Sequence, residues 1–337
     1  MSGIKVGIIG VGRIGRLHAE HLAFRVPGAE VAAICDVDSD AAREVADRLR
    51  VPRVYADPEA LCKSQDVAAV IICTSTDTHA ALIELAAAHS KHIFCEKPIA
   101  LDLGRIDTAI AAADAANIKL QVGFNRRFDP GFAHVQAQVA EGKVGPTHLV
   151  RITSRDPHPP PAEYVAVSGG IFMDMTIHDF DMARFLVGSE PKRILATGGV
   201  RIDPAIGAAG DVDTAVVLIE HEDGTLTTID NSRKAVYGYD QRVEVFGAEG
   251  MVWADNRTPH NTGRGDGSGM YRPQPQHFFM DRYTESFIAE MEAFVQSILS
   301  HSPSPVSGHD GRVPVVMALA ARQSMDEGRW VSLSEIG

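Results

Sequence analysis

The hexapeptide Gly10-Val11-Gly12-Arg13-Ile14-Gly15 reads G-x-G-x-x-G, and its setting constrains the fold more than any other stretch of the chain. The apolar run 4–9 precedes it and has the texture of a buried strand. Ile14, Leu17, His18, His21 and Leu22 follow at helical spacing. In a strand–turn–helix of this kind Gly10 permits the tight turn, Gly12 lets the backbone approach a pyrophosphate, and Gly15 lets helix and strand pack closely. The unpaired N–H groups and positive dipole of the helix start then receive phosphate, with Arg13 and Ile14 lining the same turn. A second apolar run, 31–35, ends in Asp36, about 20 residues beyond the last glycine. A carboxylate there accepts hydrogen bonds from ribose hydroxyls and repels a 2′-phosphate. The cofactor this predicts is NAD, not NADP.

The first third of the chain repeats this alternation. Strands are predicted at 4–9, 30–35, 67–73, 92–95 and 118–122, with helices near 13–25, 39–50, 77–89 and 102–116. Alternating strands and helices imply βαβ units and a doubly wound parallel sheet, a Rossmann fold, with ligands at the carboxyl ends of the strands. Past residue 123 the texture changes. Longer alternating runs at 147–155, 192–201, 212–221, 225–232, 241–247 and 250–254 are joined by turns such as Glu222-Asp223-Gly224. Helical stretches fall at 130–141, 173–187, 281–300 and 309–327. This reads as an α+β domain with an open, largely antiparallel sheet, helices on one face, and the other face free for self-association. The predicted domains are 1–123 for the cofactor and 124–337 for substrate and oligomerisation, with the C-terminal helix able to pack back on the first. The stretch 255–276, with four Gly and three Pro, is a mobile loop or a lid.

Composition removes several function classes. A formal charge of −12 with no basic block argues against nucleic acid and other polyanions. No apolar run reaches the roughly 18 residues a membrane span needs. The chain enters a strand at once, without a charged and then apolar leader, so the expectation is a cytoplasmic protein. The four cysteines, Cys35, Cys62, Cys73 and Cys95, form no C-x-x-C pair. They read as buried reduced thiols, three of them at the ends of strand-like runs, and no metal site is predicted.

Four further clusters can carry chemistry. Cys73–His79 follows a strand, and Thr74, Ser75, Thr76 and His79 are candidate cofactor contacts, although helix capping by Thr76 or Asp77 explains part of the pattern. Glu96-Lys97-Pro98 ends the strand 92–95. Lys97 there can donate to a substrate hydroxyl, Glu96 is a candidate cofactor contact, and Pro98 is a candidate cis proline. Asp174 and His178 lie four apart, so on one helix both project from one face, able to relay a proton, grip a diol or simply satisfy a core histidine. Asn125-Arg126-Arg127-Phe128-Asp129 can clamp a ligand or cap the next helix. Asp156 and His158 start a proline-rich loop that can close over the same crevice, and Tyr237 and Tyr239 alternate on one face of a β-like stretch as binding groups or core aromatics.

These segments, from Gly10–His18 through Glu96-Lys97-Pro98, Gly123–Asp129, Ser168–Phe185 and Tyr237–Phe246 to Phe278–Tyr283, run nearly the length of the chain in a familiar order. The chain resembles the glucose–fructose oxidoreductase and inositol dehydrogenase family, and within it the inositol 2-dehydrogenases. The resemblance implies that Lys97, Asp174 and His178 form the catalytic set and that Arg127 contacts substrate. It also implies tetramers joined through the open sheet of the second domain. The activity it implies is oxidation of a ring hydroxyl of a cyclic polyol, with myo-inositol first and scyllo-inositol or an aldose as rivals. Asp156, His158, Tyr237 and Tyr239 are the further candidate substrate contacts. A catalytically idle NAD-binding sensor is the reading from another class.

Overall fold

A computed structural model describes residues 3–337. The chain forms two compact units, one running to Phe128 and taking in Glu285–Val315, the other comprising Asp129–Thr284 and Val316–Gly337.

In the first unit β1 (Ile4–Ile9), α1 (Arg13–Phe24), β2 (Ala29–Cys35), α2 (Ser39–Leu49), β3 (Val54–Tyr55), α3 (Pro58–Lys63), β4 (Ala69–Ile72), α4 (Thr76–Ala88), β5 (His92–Glu96), α5 (Leu103–Ala115) and β6 (Leu120–Gly123) alternate along the chain. The six strands are all parallel in the order β3-β2-β1-β4-β5-β6, so the direction of winding reverses between β1 and β4. β4 is buried at every residue, as a strand covered on both faces must be. The segment 285–315 completes this unit's core: Met291, Phe294, Val295 and Ile298 pack with Val6, Ile8, Leu22, Ile34 and Phe94.

Helix starts are dictated locally. Asp57-Pro58, Asp129-Pro130 and Asp203-Pro204 each put a carboxylate at the N-cap and a proline in the first turn, and in each case the aspartate accepts from the free N–H groups behind it. Proline has no N–H to lose at that position, and its fixed φ suits the helix.

The second unit comprises α6 (Pro130–Ala140), β7 (Thr147–Arg155), α7 (Ala162–Ser168), α8 (Gly170–Asp174), α9 (Ile177–Val187), β8 (Pro191–Gly199), α10 (Pro204–Ala208), β9 (Thr214–His221), β10 (Leu226–Ser232), β11 (Asp240–Gly247) and β12 (Gly250–Ala254). Within 255–276 a small hairpin forms from β13 (Arg264–Asp266) and β14 (Gly269–Tyr271). Then come α11 (Phe279–Arg282), α12 (Thr284–Leu299), α13 (Gly308–Glu327) and β15 (Val331–Ser332). The large sheet runs β12-β11-β7-β10-β9-β8-β15. It is mixed, because β7 and β10 pair in parallel while the other neighbours are antiparallel. One face, with Val150, Ile152, Val217, Ile219, Ile229, Val243 and Val245, is buried. The other leaves Val216, Leu218, Leu226, Phe246, Met251 and Trp253 exposed in this chain.

Three expectations change here. The helix expected over 173–187 is two helices, α8 and α9, separated by Met175 and Thr176. Asp174 therefore ends one helix and His178 opens the next, so they do not share a continuous helical face. The helix expected over 281–300 likewise breaks at Tyr283. Tyr237 and Tyr239 are not on a strand: they flank Gly238, whose φ of 127° turns the chain and sends the two rings apart.

Candidate functional site

In the first unit the glycine loop and two strand ends form one corner. Gly10 N–H bonds Cys35 O and Cys73 N–H bonds Ile9 O, which ties the loop between β2 and β4. Gly10 has a φ of 92°, and a Cβ on it would sit 2.8 Å from the Cys73 carbonyl carbon. A Cβ on Gly15 would run into the Gly10 carbonyl oxygen. Around Gly12, by contrast, there is open space where a side chain would be. Gly12 is the N-cap of α1 without a side-chain cap, and no acid lies in the first turn to compete for an anion. Asp36 stands at the end of β2, its Oδ2 accepting from Val11 N–H at 2.6 Å and its Oδ1 from Asp38 N–H at 2.9 Å. Each oxygen keeps a lone pair for a ribose hydroxyl. The space over Gly12, the uncapped helix start and the placed carboxylate together fit a bound NAD. Arg13 and Ile14 open α1 on the same loop.

At the next strand end Ser75, and not Thr76 or Asp77, is the N-cap of α4, and it makes no side-chain cap bond. Capping therefore does not explain the hydroxyl cluster. Thr74 and Thr78 bond each other through their hydroxyls at 2.6 Å, and the His79 ring spans the carbonyls of Pro98 (2.8 Å) and Thr74 (3.0 Å). Lys97 follows β5, and its bond to Pro98 is cis. Glu96 turns inward: Oε1 lies 2.7 Å from His18 Nε2, and a Cβ on Gly123 would sit 2.9 Å from Oε2. His18 is wholly buried between Phe94 and Phe287, each edge-on. Beyond Glu96 lies Glu290, also wholly buried, and burial together with the Glu96 charge pushes its carboxyl well above the usual carboxylate range. Burial likewise drives the Cys73 and Cys95 thiols up, so neither is a nucleophile. Arg127 donates to Asp310 at 3.1 Å.

In the second unit the polar residues stand on a rigid frame. Thr176 donates to Asn231 Oδ1 at 2.6 Å, and Asn231 Nδ2 donates to Asp179 at 2.8 Å. Both anchors lie in the turn that carries His178, so that turn is fixed against β10. Asp174 accepts from the Tyr164 hydroxyl at 2.9 Å on one oxygen and from Arg233 at 3.1 Å on the other. Tyr237 donates to Asp240 at 2.6 Å and receives a bond from Arg155, whereas Tyr239 is buried edge-on against Tyr283. Asp156 is held by its backbone to Ser232 and Ala235, and the exposed His158 ring stacks over Phe278. Asp129 caps α6 and pairs with Arg282, so Arg126 and Arg127 are not needed for that cap.

His18, Glu290, Tyr164, Asn231 and Arg233 were not singled out from the sequence. Asn231 carried a signal: a polar residue at an inward position of an alternating strand is buried and must be bonded. Tyr164 and Arg233 carried none, since one lies in a proline-rich stretch and the other follows a strand.

Among the described residues no helix is long and apolar enough to cross a membrane. Residues 4–124 match an oxidoreductase family with an NAD-binding Rossmann fold, and 132–253 match the GFO/IDH/MocA C-terminal domain. A protein of Thermotoga maritima named myo-inositol 2-dehydrogenase is 46% identical over 99% of both chains. One of Rhizobium meliloti named inositol 2-dehydrogenase is 44% identical over 98% of this chain and 99% of its own. The crystal structure of scyllo-inositol dehydrogenase from Lactobacillus casei with bound NAD(H) and scyllo-inositol superposes with a TM-score of 0.91 at 31% identity, covering 98% of this chain and 99% of that one. With a parallel NAD-binding sheet followed by a mixed, mostly antiparallel one, this chain belongs to the GFO/IDH/MocA family of oxidoreductases.

Proposed function

We propose that this oxidoreductase oxidises one ring hydroxyl of a cyclic polyol, myo-inositol to its 2-keto product. The strongest support is likeness along the whole chain to proteins named inositol 2-dehydrogenase. Gly10, Gly12, Arg13, Ile14 and Gly15 hold the pyrophosphate in this reading, and Asp36 the adenine ribose. Thr74, Ser75, Thr76, His79 and Glu96 line the rest of the dinucleotide site. When bound, NAD supplies the hydride acceptor. His178 takes the hydroxyl proton, and Lys97 donates a hydrogen bond to the oxygen as it gains charge. Asp174 orients Lys97 or the substrate, and Arg127, Asp156 and His158 bond further ring hydroxyls.

The exposed apolar face of the large sheet supports assembly as a homotetramer through that face. The charge balance and the lack of an apolar span support a cytoplasmic small-molecule enzyme. Residues 1–123 serve the cofactor, and 124–337 the substrate and assembly.

Steady-state NAD reduction with a panel of inositols and aldoses tests the reading. A misplaced hydroxyl leaves a buried partner unbonded at a cost of about 1–3 kcal/mol, so epimers separate by roughly tenfold or more. Turnover with an aldose and with no inositol transfers the proposal to the sugar. Turnover with neither leaves an NAD-binding sensor.

A further inference from the structure

We infer that Arg233 is a positioning residue whose buried guanidinium locks the Asp174 carboxylate in one orientation. The inference rests on the role proposed above for Asp174. Arg233 follows β10 and is 1% exposed, which makes it one of the largest fully buried side chains of the protein. Its Nη1 donates to Asp174 Oδ2 at 3.1 Å, while Nη2 stands 3.9 Å from Asp211 Oδ2. Among the described residues its Nε and Nη2 have no hydrogen-bond partner, and neither has Asp211 Oδ2. A guanidinium is costly to bury without an anion beside it. Here its hydrogen bond goes to a carboxylate that keeps some contact with solvent, its side chain 16% exposed.

The surroundings are rigid. Arg233 N–H bonds Asp213 O, and the Asp213 carboxylate collects the N–H groups of Arg201, Ile202 and Asp203. Asp211 Oδ1 accepts from Ile171 N–H at 3.1 Å at the start of α8, the helix that ends at Asp174. Tyr164 on α7 holds the other oxygen of Asp174. Two donors from two elements thus fix the plane of the carboxylate before any substrate arrives, which is the preorganisation a site residue needs.

The alternative is a plain structural ion pair between Arg233 and Asp211, and a double variant separates the two. In Arg233→Met/Asp211→Asn both charges are gone, the methionine fills the aliphatic volume, and the new amide oxygen can still accept from Ile171 N–H. We expect its melting temperature and its Kd for NADH to match wild type, while kcat/KM for myo-inositol falls on the order of 10–100-fold. In its crystal structure the Asp174 carboxylate leaves the Tyr164 hydroxyl. Arg233→Lys, which keeps the charge but not the fork, should lose activity to a smaller degree, and it decides the matter if the double variant does not fold. Wild-type kcat/KM in either variant, with Asp174 unmoved, overturns the inference. If the wild-type protein oxidises no polyol, the proposed function falls, and the position of Asp174 in the variant structures still decides the role of Arg233.

Discussion

Replacing Glu290 by Gln should change how stability depends on pH more than it changes stability at any one pH. Glu290 lies on α12 with its side chain wholly buried, and among the described residues neither carboxyl oxygen has a hydrogen-bond partner. Burial and the charge of Glu96 raise its pKa well above the ordinary 4.5. The folded protein therefore holds a proton that the unfolded chain gives up near that ordinary value. The stabilisation linked to this proton is complete below pH 4.5 and is lost as pH climbs toward the folded value. Each pH unit in that window costs about 1.4 kcal/mol. At roughly 2–4 °C per kcal/mol, this is about 3–6 °C of melting temperature per unit. Glutamine cannot ionise, so the slope disappears. It carries one more buried donor than the protonated acid, which subtracts a constant of about 1–3 kcal/mol at every pH. The test is the melting temperature of both proteins, by calorimetry, at steps between about pH 5 and pH 8. The variant should begin below the wild type and gain on it as pH rises toward the folded value of Glu290. Two parallel curves would mean that Glu290 holds no extra proton in the folded state, and the argument from burial would be refuted.

Asp36→Ser should narrow a preference for NAD over NADP that we expect to be on the order of 100-fold, since a carboxylate facing a 2′-phosphate is worth a few kcal/mol in a partly desolvated site. Equal catalytic efficiency with both cofactors in the wild type would contradict this. Lys97→Ala should lower turnover by about 10²–10⁴-fold while fluorescence titration shows unchanged NADH binding. A variant with normal turnover would make Lys97 a surface charge. Gly15→Ala drives a methyl into the Gly10 carbonyl, so it should cost about 1–3 kcal/mol and weaken NADH binding together. Leu218→Glu on the exposed sheet face should leave a folded but smaller particle in sedimentation; an unchanged mass would exclude that face as the assembly surface.

The parallel sheet was readable because its signals are local. Short apolar runs, Asp-Pro helix starts and a glycine loop all act within a few residues, and strand and helix positions between 4 and 123 fall within a few residues of those predicted. β3 and α3 escaped because a two-residue strand and a six-residue helix leave no periodicity. In the second unit periodicity misled where two expected helices break, at Met175–Thr176 and at Tyr283. The 3.6-residue pattern continues through Met175 and Thr176, yet the Thr176 hydroxyl bonds Ile171 O and Asn231, and the helix breaks there. The parallel pairing of β7 with β10 was also hidden, since alternation shows which face a residue takes but not which strand lies beside it. For the candidate site the pattern gave Asp174 and His178, while Arg233 is brought to Asp174 from 59 residues away and Tyr164 from the preceding helix α7.

The place of α12 in the first unit's core has a consequence for synthesis. Residues to Phe128 leave the ribosome before the second unit, but Met291, Phe294, Val295 and Ile298 appear only after residues 129–284 of that unit. Until they do, the apolar surface they cover on Val6, Leu22, Ile34 and Phe94 faces water or a chaperone. The part begun earlier is not complete until residue 315. A nascent chain arrested before residue 285 carries all six strands of its parallel sheet and still lacks one wall of its core, so it should be sensitive to protease where the released chain is not.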